Sequence, residues 1–388
     1  MSHIDSLVER LCPEGVAFKS LGDLEDLGAV KLGRGNVISK TDLQLSPGEY
    51  PVYSSSAVGV GEFGRYGKYM FEDERITWSV DGGGKFFFRL AHKYSVTNVC
   101  GWLSVKNPDI IQTKFLYYSL INSWSKKTYN YTVKAHPSVI RVDYILAIPP
   151  IEVQQEIVRI LDTFTELEAE LEAELEARKK QYEHYRNTLL LNQTGVKTFP
   201  LREIANFTNA KAHEKLVDST GDIALMTSKF ISTRGNSARY VKKEDVLTPA
   251  FTNDVALVMS DLPNGRALAK TFFVEKDNKY AANQRVCLLR AKDFNQLNPR
   301  YLYQFLNRNP QLLAYDNGTD QTHLKKDYIL DVQVALPSLE RQNEILGILD
   351  NLEVLVEDLN RGLPAEISAR RKQYEHYRDK LLTFEELS

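Results

Sequence analysis

The sequence predicts an α+β protein in which two globular parts are separated by a pair of long antiparallel helices that form a coiled coil. The two halves are related by an internal twofold repeat. Three observations predict this fold: one block of sequence occurs twice, each copy ends in a helical stripe of apolar residues, and short strand-like runs precede each stripe. A chain of 388 residues also exceeds one ordinary core and suits two or more domains.

The repeat is visible in four pairs of segments. The pairs are RKKQYEHYRNTLL (178–190) with RRKQYEHYRDKLL (370–382), IPPIEVQQEIVRILD (148–162) with LPSLERQNEILGILD (336–350), DYIL (143–146) with DYIL (327–330), and FLYYSL (115–120) with YLYQFL (301–306). We therefore expect globular domains at 1–147 and 196–335 and helical spacers at 148–195 and 336–388.

The spacers have apolar residues at gaps of three and four, which predicts helices that pack along a narrow seam. The expected stripes are Ile157, Ile160, Phe164, Leu167, Leu171, Leu175, Tyr182, Tyr185 and Leu189, and Ile345, Ile348, Leu352, Leu355, Leu359, Leu363, Ile367, Tyr374, Tyr377 and Leu381. The first helix contains ELEA three times in tandem, at 166–177. Pro364 falls inside the second helix and predicts a kink or break near Gly362–Pro364.

The globular parts combine strand-like runs with turn residues. We expect strands at ITWSV (76–80), KFFFRL (85–90), VALVM (255–259) and KTFFVE (270–275), and helices at 113–122 and 299–307. This mixture is typical of α+β domains.

Charge is unevenly distributed along the chain. Residues 148–190 carry ten acidic and five basic side chains, and residues 336–388 carry eleven and seven. The rest of the chain has 37 basic and 30 acidic side chains, a net charge of +7. A basic remainder is compatible with a polyanionic partner such as DNA.

Basic and small polar residues in the expected loops are the candidates for DNA contact. Lysine and arginine near phosphates supply affinity, whereas arginine, asparagine and glutamine on base edges supply specificity. The candidates are Lys31, Arg34, Lys40, Ser55, Arg65, Lys68, Lys134, Lys211, Lys229, Arg234, Asn236, Arg239, Arg266, Gln321 and Lys325.

No set of residues for catalysis is visible. GVGEFG (59–64) matches G-x-G-x-x-G, but no helical pattern follows it, and DGGGKF (81–86) lacks the spacing of a phosphate-binding loop. The sequence has no H-E-x-x-H and no Cys-x-x-Cys, and His184 and His376 each lie between two tyrosines of a helix. Cys12, Cys100 and Cys287 are far apart and odd in number, which argues against a disulfide framework and a zinc site, and they are expected as buried or half-buried thiols.

The chain resembles the specificity subunits of type I restriction-modification enzymes over essentially its whole length. The resemblance lies in the I/L-P-x-x-E-x-Q-x-x-I-x-x-I-L-D segments, the R-x-K-Q-Y-E-H-Y-R helix ends, the tandem four-residue repeat and the two-copy layout. The segment PVYSSS…ITWSVDGG…TNVCG (51–101) resembles a target recognition domain of that family, which also accepts a proline at the place of Pro364.

The resemblance implies that each globular part is a target recognition domain for one half of an asymmetric, interrupted DNA site. It implies that the helices bind two modification subunits, which use S-adenosylmethionine to methylate an adenine in each half-site. Restriction subunits would add ATP-driven translocation and cleavage. The chain itself would bind no cofactor, catalyse neither reaction and act in the cytoplasm.

Two other functions stay open at this stage. One is a coiled-coil scaffold with two protein-binding modules, which salt-dependent DNA binding would exclude. The other is an enzyme such as a nuclease or methyltransferase, which activity of the purified chain would favour.

Overall fold

A computed structural model describes residues 3–55, 59–129, 132–191, 193–261, 267–316, 318, 321–357 and 362–387. The chain divides into two compact units. The first unit comprises Met1–Ala173 and Glu366–Ser388, and the second comprises Glu174–Ala365. Each unit therefore contains one globular part and a segment of each spacer.

The first unit is built from short helices and strands followed by the start of a long helix. Its elements are α1 (His3–Leu11), β1 (Ala17–Ser20), α2 (Leu21–Asp26), β2 (Val30–Arg34), α3 (Lys40–Leu45), β3 (Tyr50–Tyr53), β4 (Glu62–Tyr66), β5 (Arg75–Ser79), β6 (Phe86–Arg89), β7 (Ser95–Val96), β8 (Cys100–Val105), α4 (Thr113–Trp124), α5 (Pro137–Asp143), β9 (Ile145–Ile148) and the first part of α6 (Ile151–Leu191).

The second unit repeats this order. After α6 it contains β10 (Thr198–Pro200), α7 (Leu201–Ile204), β11 (Ala205–Asn209), β12 (Ile223–Met226), α8 (Ser228–Ser232), β13 (Tyr240–Val241), β14 (Val255–Val258), β15 (Ser260–Asp261), β16 (Thr271–Phe273), β17 (Tyr280–Ala282), β18 (Val286–Ala291), α9 (Pro299–Leu306), α10 (Pro310–Leu313), β19 (Thr322–His323), α11 (Lys326–Leu330), β20 (Gln333–Ala335) and α12 (Leu339–Glu357). The last helix, α13 (Gly362–Leu381), begins in the second unit and ends in the first.

Three sheets have the same topology in the two units, and the second unit has in addition a two-stranded sheet of β15 and β19. A four-stranded antiparallel sheet has the order β2-β8-β5-β6 in the first unit and β11-β18-β14-β16 in the second. A three-stranded sheet with one parallel pair has the order β4-β3-β7 or β13-β12-β17, and a two-stranded sheet pairs β1 with β9 or β10 with β20. The internal repeat predicted from the sequence is thus a repeat of structure, and the four expected strands correspond to β5, β6, β14 and β16.

The two expected helices of the globular parts are α4 and α9, and each lies against the central sheet of its own unit. The core of the first unit contains Trp78, Phe86 and Phe115. The core of the second unit contains Tyr301 and Phe305.

The long helices contribute to these cores through a face that only partly coincides with the expected stripes, which include Ile157 and Ile345 but not Leu161 and Leu349. Ile157 and Leu161 of α6 are fully buried in the first core, and Ile345 and Leu349 of α12 are fully buried in the second. By contrast, Ile348 of the expected stripe is 43% exposed. A helix that packs on both a globular part and a neighbouring helix needs two apolar faces, and a single stripe describes only one of them.

Within the first unit, α6 and α13 pack antiparallel. The ring of Phe164 stacks on Tyr377 with centroids 5.3 Å apart, and the Arg371 guanidinium binds the carboxylates of Glu168 and Glu172. Residue numbers therefore rise along one helix as they fall along the other. Helix α6 has 41 residues, which corresponds to about 60 Å at 1.5 Å per residue.

The expected break near Gly362–Pro364 is confirmed. Helix α12 ends at Glu357, and α13 begins at Gly362, whose φ of 72° lies outside the right-handed helical region. Pro364 consequently lies in the first turn of α13 instead of a helix interior. A proline costs little there, because the first backbone N–H groups of a helix have no partner within the helix.

A buried glutamine joins α6 to the globular part of the first unit. The Gln154 side chain is completely buried. Its Oε1 accepts a hydrogen bond from the Gln112 backbone N–H at 3.0 Å, and its Nε2 donates to the carbonyls of Ile110 at 2.9 Å and Pro149 at 2.8 Å. One side chain thus satisfies three backbone groups that would otherwise be buried without partners.

The second unit has the same arrangement at the repeated position. Gln342 is completely buried, accepts from the Asn298 N–H at 2.8 Å, and donates to the carbonyls of Gln296 at 2.8 Å and Pro337 at 2.9 Å. We call this pair of equivalent arrangements the glutamine clamps. They give the recurring Q of the P-x-x-E-x-Q segments a structural role.

A repeated ion pair lies two helical turns beyond each clamp. Lys114 Nζ lies 2.6 Å from Asp162 Oδ2, and Arg300 Nη2 lies 2.9 Å from Asp350 Oδ1. Both pairs join the helix of a globular part (α4 or α9) to the long helix of the same unit, at the D of the repeated I-L-D.

We predict that Gln154→Leu lowers the free energy of unfolding by about 2–4 kcal/mol, because leucine leaves buried backbone donors and acceptors without partners. Urea denaturation of the full chain measures the change. Gln155→Leu is the matched control, since Gln155 is the exposed neighbour on the same helix. Equal effects of the two substitutions would contradict the clamp.

The cysteines are free thiols, as expected. Burial raises the pKa of Cys100 to about 12 and also raises the pKa values of Cys287 and Cys12. Cys100 and Cys287 are buried on the equivalent strands β8 and β18, whereas Cys12 is half-buried.

We predict that at pH 8 a thiol reagent modifies the native chain at Cys12 first, while Cys100 and Cys287 react only on unfolding. The reason is that a buried thiol with a raised pKa supplies little thiolate. Mass spectrometry of the alkylated native and denatured chain gives the order of modification, and early alkylation of Cys100 would contradict the prediction.

Candidate nucleic-acid interface

Several strands of the first unit end at the same edge. Arg34 at the end of β2 lies opposite Gly101, and Ser79 at the end of β5 lies opposite Cys100. A bridge between Asn36 and Thr97 brings the end of β7 to this edge. We call the residues of the converging loops the first loop edge: Arg34, Ser54, Ser55, Asp81, Thr97, Asn98, Lys134 and His136.

Hydrogen bonds hold these loops together. Arg34 donates from Nε to the Asn98 carbonyl at 2.7 Å, and its Nη1 lies 3.2 Å from His136 Nε2. Because a guanidinium can only donate, Nε2 of His136 is the acceptor in this contact. Lys134 pairs with Asp81 at 3.0 Å. The first loop edge is therefore a connected polar surface rather than a set of separate charges.

Serine and threonine side chains complete this edge. The Thr97 hydroxyl donates to Ser54 Oγ at 2.9 Å, and the Ser79 hydroxyl donates to the Ser55 carbonyl at 2.7 Å. The structure thus brings three candidate residues together here: Arg34, Ser55 and Lys134.

The other candidates of the first unit lie elsewhere. Lys31 is exposed within β2 opposite Ser104, and Lys40 is exposed at the start of α3. Arg65 pairs with Glu62 at 3.0 Å near the start of β3. The backbone carbonyl of exposed Lys68 accepts a hydrogen bond at 3.4 Å from the hydroxyl of Ser95, at the start of β7. They do not join the first loop edge.

The second unit has an equivalent edge where β11, β12, β14 and β17 end. We call its residues the second loop edge: Lys211, His213, Ser228, Lys229, Ser260, Asn283 and Gln321. Gln321 Nε2 donates to Ser260 Oγ at 2.9 Å, and Ser228 Oγ donates to the Ser260 carbonyl at 3.3 Å. The candidates Lys211, Lys229 and Gln321 lie here.

A buried histidine holds the Lys211 loop in place. His213 is completely buried, its Nε2 accepts from the Leu247 N–H at 2.9 Å, and its Nδ1 lies 3.0 Å from the Lys211 carbonyl. Its own backbone N–H donates to Asn283 Oδ1 at 2.9 Å. Both ring nitrogens are occupied by backbone groups, so this histidine is a structural residue with a neutral ring.

The remaining candidates of the second unit lie away from this edge or outside the described residues. Arg234 pairs with Glu353 at 3.4 Å, and Asn236 and Arg239 are exposed between α8 and β13. Lys325 lies over the Tyr328 ring at 5.6 Å, and Arg266 lies outside the described residues.

The polar edge residues that the sequence analysis missed include Asn98, His136, His213 and Asn283. Asn98 and Asn283 follow the ends of β7 and β17, and His136 caps α5, but a loop residue carries no periodic pattern that would locate it. Lysine and arginine content dominated the selection of candidates, so few neutral hydrogen-bonding residues were selected.

Arg186 was also missed. It occupies the R of the first QYEHYR, is only 8% exposed, and donates to the backbone carbonyls of Gln304 and Asn307 at the end of α9. Burial lowers the pKa of Arg186. Its guanidinium binds carbonyls at the end of α9, so we interpret Arg186 as a structural cap of that helix. Tyr185, which the expected stripe placed on the seam, is 43% exposed.

The two glycine-rich segments form turns. Gly59 and Gly61 have φ of 57° and 74°, and strand β4 follows at Glu62 where a nucleotide-binding motif requires a helix. Gly83 and Gly84 have φ of 90° and 75° in the turn between β5 and β6.

Two further features concern the described part of the chain. Its His, Cys, Asp and Glu side chains form no group of three or more suited to a metal ion. None of its helices combines the length and the apolar character needed to cross a bilayer.

Comparison with known proteins gives a consistent result. The model of a family described as "Type I restriction modification DNA specificity domain" matches residues 13–177 and 193–369. A putative type I specificity subunit of Mycoplasma pneumoniae is 28% identical over 371 residues, which cover 92% of this chain and 96% of that protein. A putative type I restriction enzyme specificity subunit of Haemophilus influenzae is 28% identical over 375 residues, covering 89% of this chain and 90% of that protein.

Solved structures agree in fold. The type I restriction-modification S subunit from M. genitalium aligns with a TM-score of 0.52 at 17% identity, covering 95% of this chain and 96% of that chain. A chain from a study of complex assembly and conformational transition of the type I R-M system aligns with a TM-score of 0.58 at 13% identity, covering 96% and 98%.

Proposed function

Because this chain belongs to the type I restriction-modification DNA specificity family, we propose that it recognises an asymmetric, bipartite DNA site. The observation that supports this function best is the occurrence of a polar loop edge at the same place in both units. Two edges of the same topology but different residues suit two half-sites of different sequence. We propose residues 1–147 and 196–335 as the two target recognition domains, and 148–195 and 336–388 as helical spacers.

At each edge the residues suit different kinds of DNA contact. Lys134, Lys211 and Lys229 are suited to backbone phosphates, whereas Arg34 and Gln321 can donate to base edges in the major groove. Ser55 adds a short hydrogen-bonding group. We propose that the other candidates contact flanking phosphates: Lys31, Lys40, Arg65, Lys68, Arg234, Asn236, Arg239, Arg266 and Lys325.

We further propose that the chain catalyses no reaction and binds no cofactor of its own. Two modification subunits would dock on the helical spacers and bring S-adenosylmethionine to an adenine in each half-site. Restriction subunits would join that complex where the cell supplies them. The site of action would be the cytoplasm.

The experiment that tests this function is methylation sequencing of the genome in cells that carry the chain with its modification subunit. We expect methylated adenines in one interrupted motif that disappears when the chain is deleted. Methylation without a bipartite motif, or assembly without any DNA binding, would contradict the proposal and favour a protein-binding scaffold.

We predict that inserting one further ELEA unit after Ala177 changes the preferred number of base pairs between the two half-sites by one to two. Both half-site sequences should stay unchanged. Four residues are close to one helical turn, so the apolar face is retained while α6 lengthens by about 6 Å. Methylation sequencing of the variant gives the spacer directly. An insertion of four alanines at the same place is the control, because it adds the same length with a different sequence. If neither insertion changed the distance between the half-sites, the dependence of that distance on the length of α6 would be refuted.

We predict that Arg34→Gln weakens binding to the cognate duplex by about 1–3 kcal/mol and relaxes base preference in one half-site only. Arg65→Gln, which removes an exposed arginine away from the edge, should leave base preference unchanged. Binding to a set of single-base variants of the site measures both effects, with thermal unfolding as the check that each variant folds. A relaxation spread over both half-sites would count against the assignment.

A further inference from the structure

One arginine of the first unit is buried without a carboxylate partner. Arg89, at the end of β6, is 6% exposed. Its Nε donates to the Thr77 hydroxyl oxygen at 3.0 Å, and its Nη2 donates to the Val60 carbonyl at 2.8 Å. Its guanidinium lies 3.6 Å from the centre of the Tyr53 ring. Within the part of the chain that the structure describes, no aspartate or glutamate forms an ion pair with Arg89, although buried charges are usually paired in this way.

The second unit has apolar side chains where the first unit has this polar group. Strands β5 and β6 pair in the same register as β14 and β16, and β3 ends beside β7 as β12 ends beside β17. These registers align Thr77 with Ala256, Arg89 with Val274, and Tyr53 with Met226. The three counterparts are buried members of one apolar cluster. The shared fold therefore requires no cation at this position, and burying one is costly.

The turn to which Arg89 binds adjoins the first loop edge. The turn Gly59–Gly61 leads directly into β4, and the Gly61 carbonyl accepts a hydrogen bond from the backbone N–H of Ser54 at 3.0 Å. Ser54 belongs to the first loop edge, so this bond ties the turn to that edge. The bond from Arg89 to the Val60 carbonyl ties the same turn to β6. Two hydrogen bonds thus fix a segment whose glycines alone would leave it many conformations.

The side chain that this turn presents is apolar and exposed. Val60 is 63% exposed, although its carbonyl is bound by a buried side chain. Glu62, which follows the turn, pairs with Arg65 at 3.0 Å, so its negative charge beside the turn is compensated. In the major groove an apolar side chain recognises the C5 methyl group of thymine. Val60 therefore suits a base contact that differs in kind from the hydrogen bonds available to Arg34.

We propose that Val60 contacts a thymine methyl group in the half-site read by the first unit, and that Arg89 is the residue that positions Val60 for this contact. This inference rests on the proposed DNA-binding function and names the chemistry of one contact within it. Position favours DNA over a protein partner, because the bond between Ser54 and Gly61 joins the turn to the first loop edge. A half-site that is methylated at adenine contains an A·T pair, so it offers a thymine.

The test uses the full chain assembled with its modification subunits and duplexes that contain the methylated motif. In these duplexes each thymine is replaced in turn by deoxyuridine, which lacks only the C5 methyl group. Val60→Ala removes the proposed contact, and Val142→Ala is the matched control, since Val142 is a 71% exposed valine near the end of α5. Thr77→Ala combined with Arg89→Val introduces the apolar pair of the second unit, so this double variant is expected to fold; thermal unfolding checks each variant.

We expect deoxyuridine at one position to weaken binding of the parent complex roughly three- to tenfold, as for the loss of one or two buried methyl contacts. The same replacement should cause no further loss in Val60→Ala, whereas Val142→Ala should behave as the parent does. The double variant at Thr77 and Arg89 should also lose this discrimination between thymine and deoxyuridine. The position should lie in the half-site in which Arg34→Gln relaxes base preference.

Equal effects of deoxyuridine on the parent and on Val60→Ala at every position would overturn the contact; this exposed substitution decides the matter even if the double variant fails to fold. A folded double variant that keeps the discrimination would overturn the positioning role and leave Arg89 a structural residue. Loss of a modification subunit from Val60→Ala, with discrimination retained, would assign the turn to a protein interface. A parent complex that produced no bipartite methylated motif would refute the proposed function, whereas a motif without the methyl discrimination would refute this inference alone.

Discussion

The architecture of each unit depends on how a long helix is fixed to a globular part at its first turn. In both units a completely buried glutamine, Gln154 or Gln342, binds three backbone groups, and two fully buried aliphatic residues of the same helix enter the core one and two turns later. A buried amide with three good hydrogen bonds accepts little displacement, because each broken bond leaves a polar group without a partner. The direction of the helix is therefore determined by the domain on which it begins.

The fixed helix and the loop edge lie at different places on a shared scaffold. The four-stranded sheet carries the edge at the ends of its strands, and α4 or α9 lies between that sheet and the long helix. Residues at the edge can therefore change without disturbing the clamp. This separation would suit the proposed recognition of DNA, since loops can vary in sequence while the helices to which their domain is fixed stay the same.

The two copies have diverged where they contact the ends of the long helices. Arg186 is buried and caps the end of α9, whereas its counterpart Arg378 pairs with Asp379 at 2.7 Å and lies near the Tyr374 ring. Gln304 stands where the first copy has Tyr118, whose hydroxyl donates to Asp162 at 2.6 Å. Arg186 also lines a groove of the second unit together with both basic and acidic side chains. The two copies share one fold, and substitutions within that fold give the two units different side-chain contacts.

The sequence by itself determined the two-copy layout, the α+β class, the helical spacers and the break at Gly362–Pro364, because these follow from repetition, periodicity and the missing N–H of proline. It selected Arg34, Lys134, Lys211 and Gln321, which the structure places at the loop edges, as candidates for DNA contact, but it could not separate them from Lys31, Lys40, Arg65 or Lys325. Only the tertiary structure decided which loops meet, since strand order brings together residues that are far apart in the chain, such as Arg34 and His136. The same holds for the buried faces of α6 and α12, where the position of a neighbour decides which side of a helix is covered.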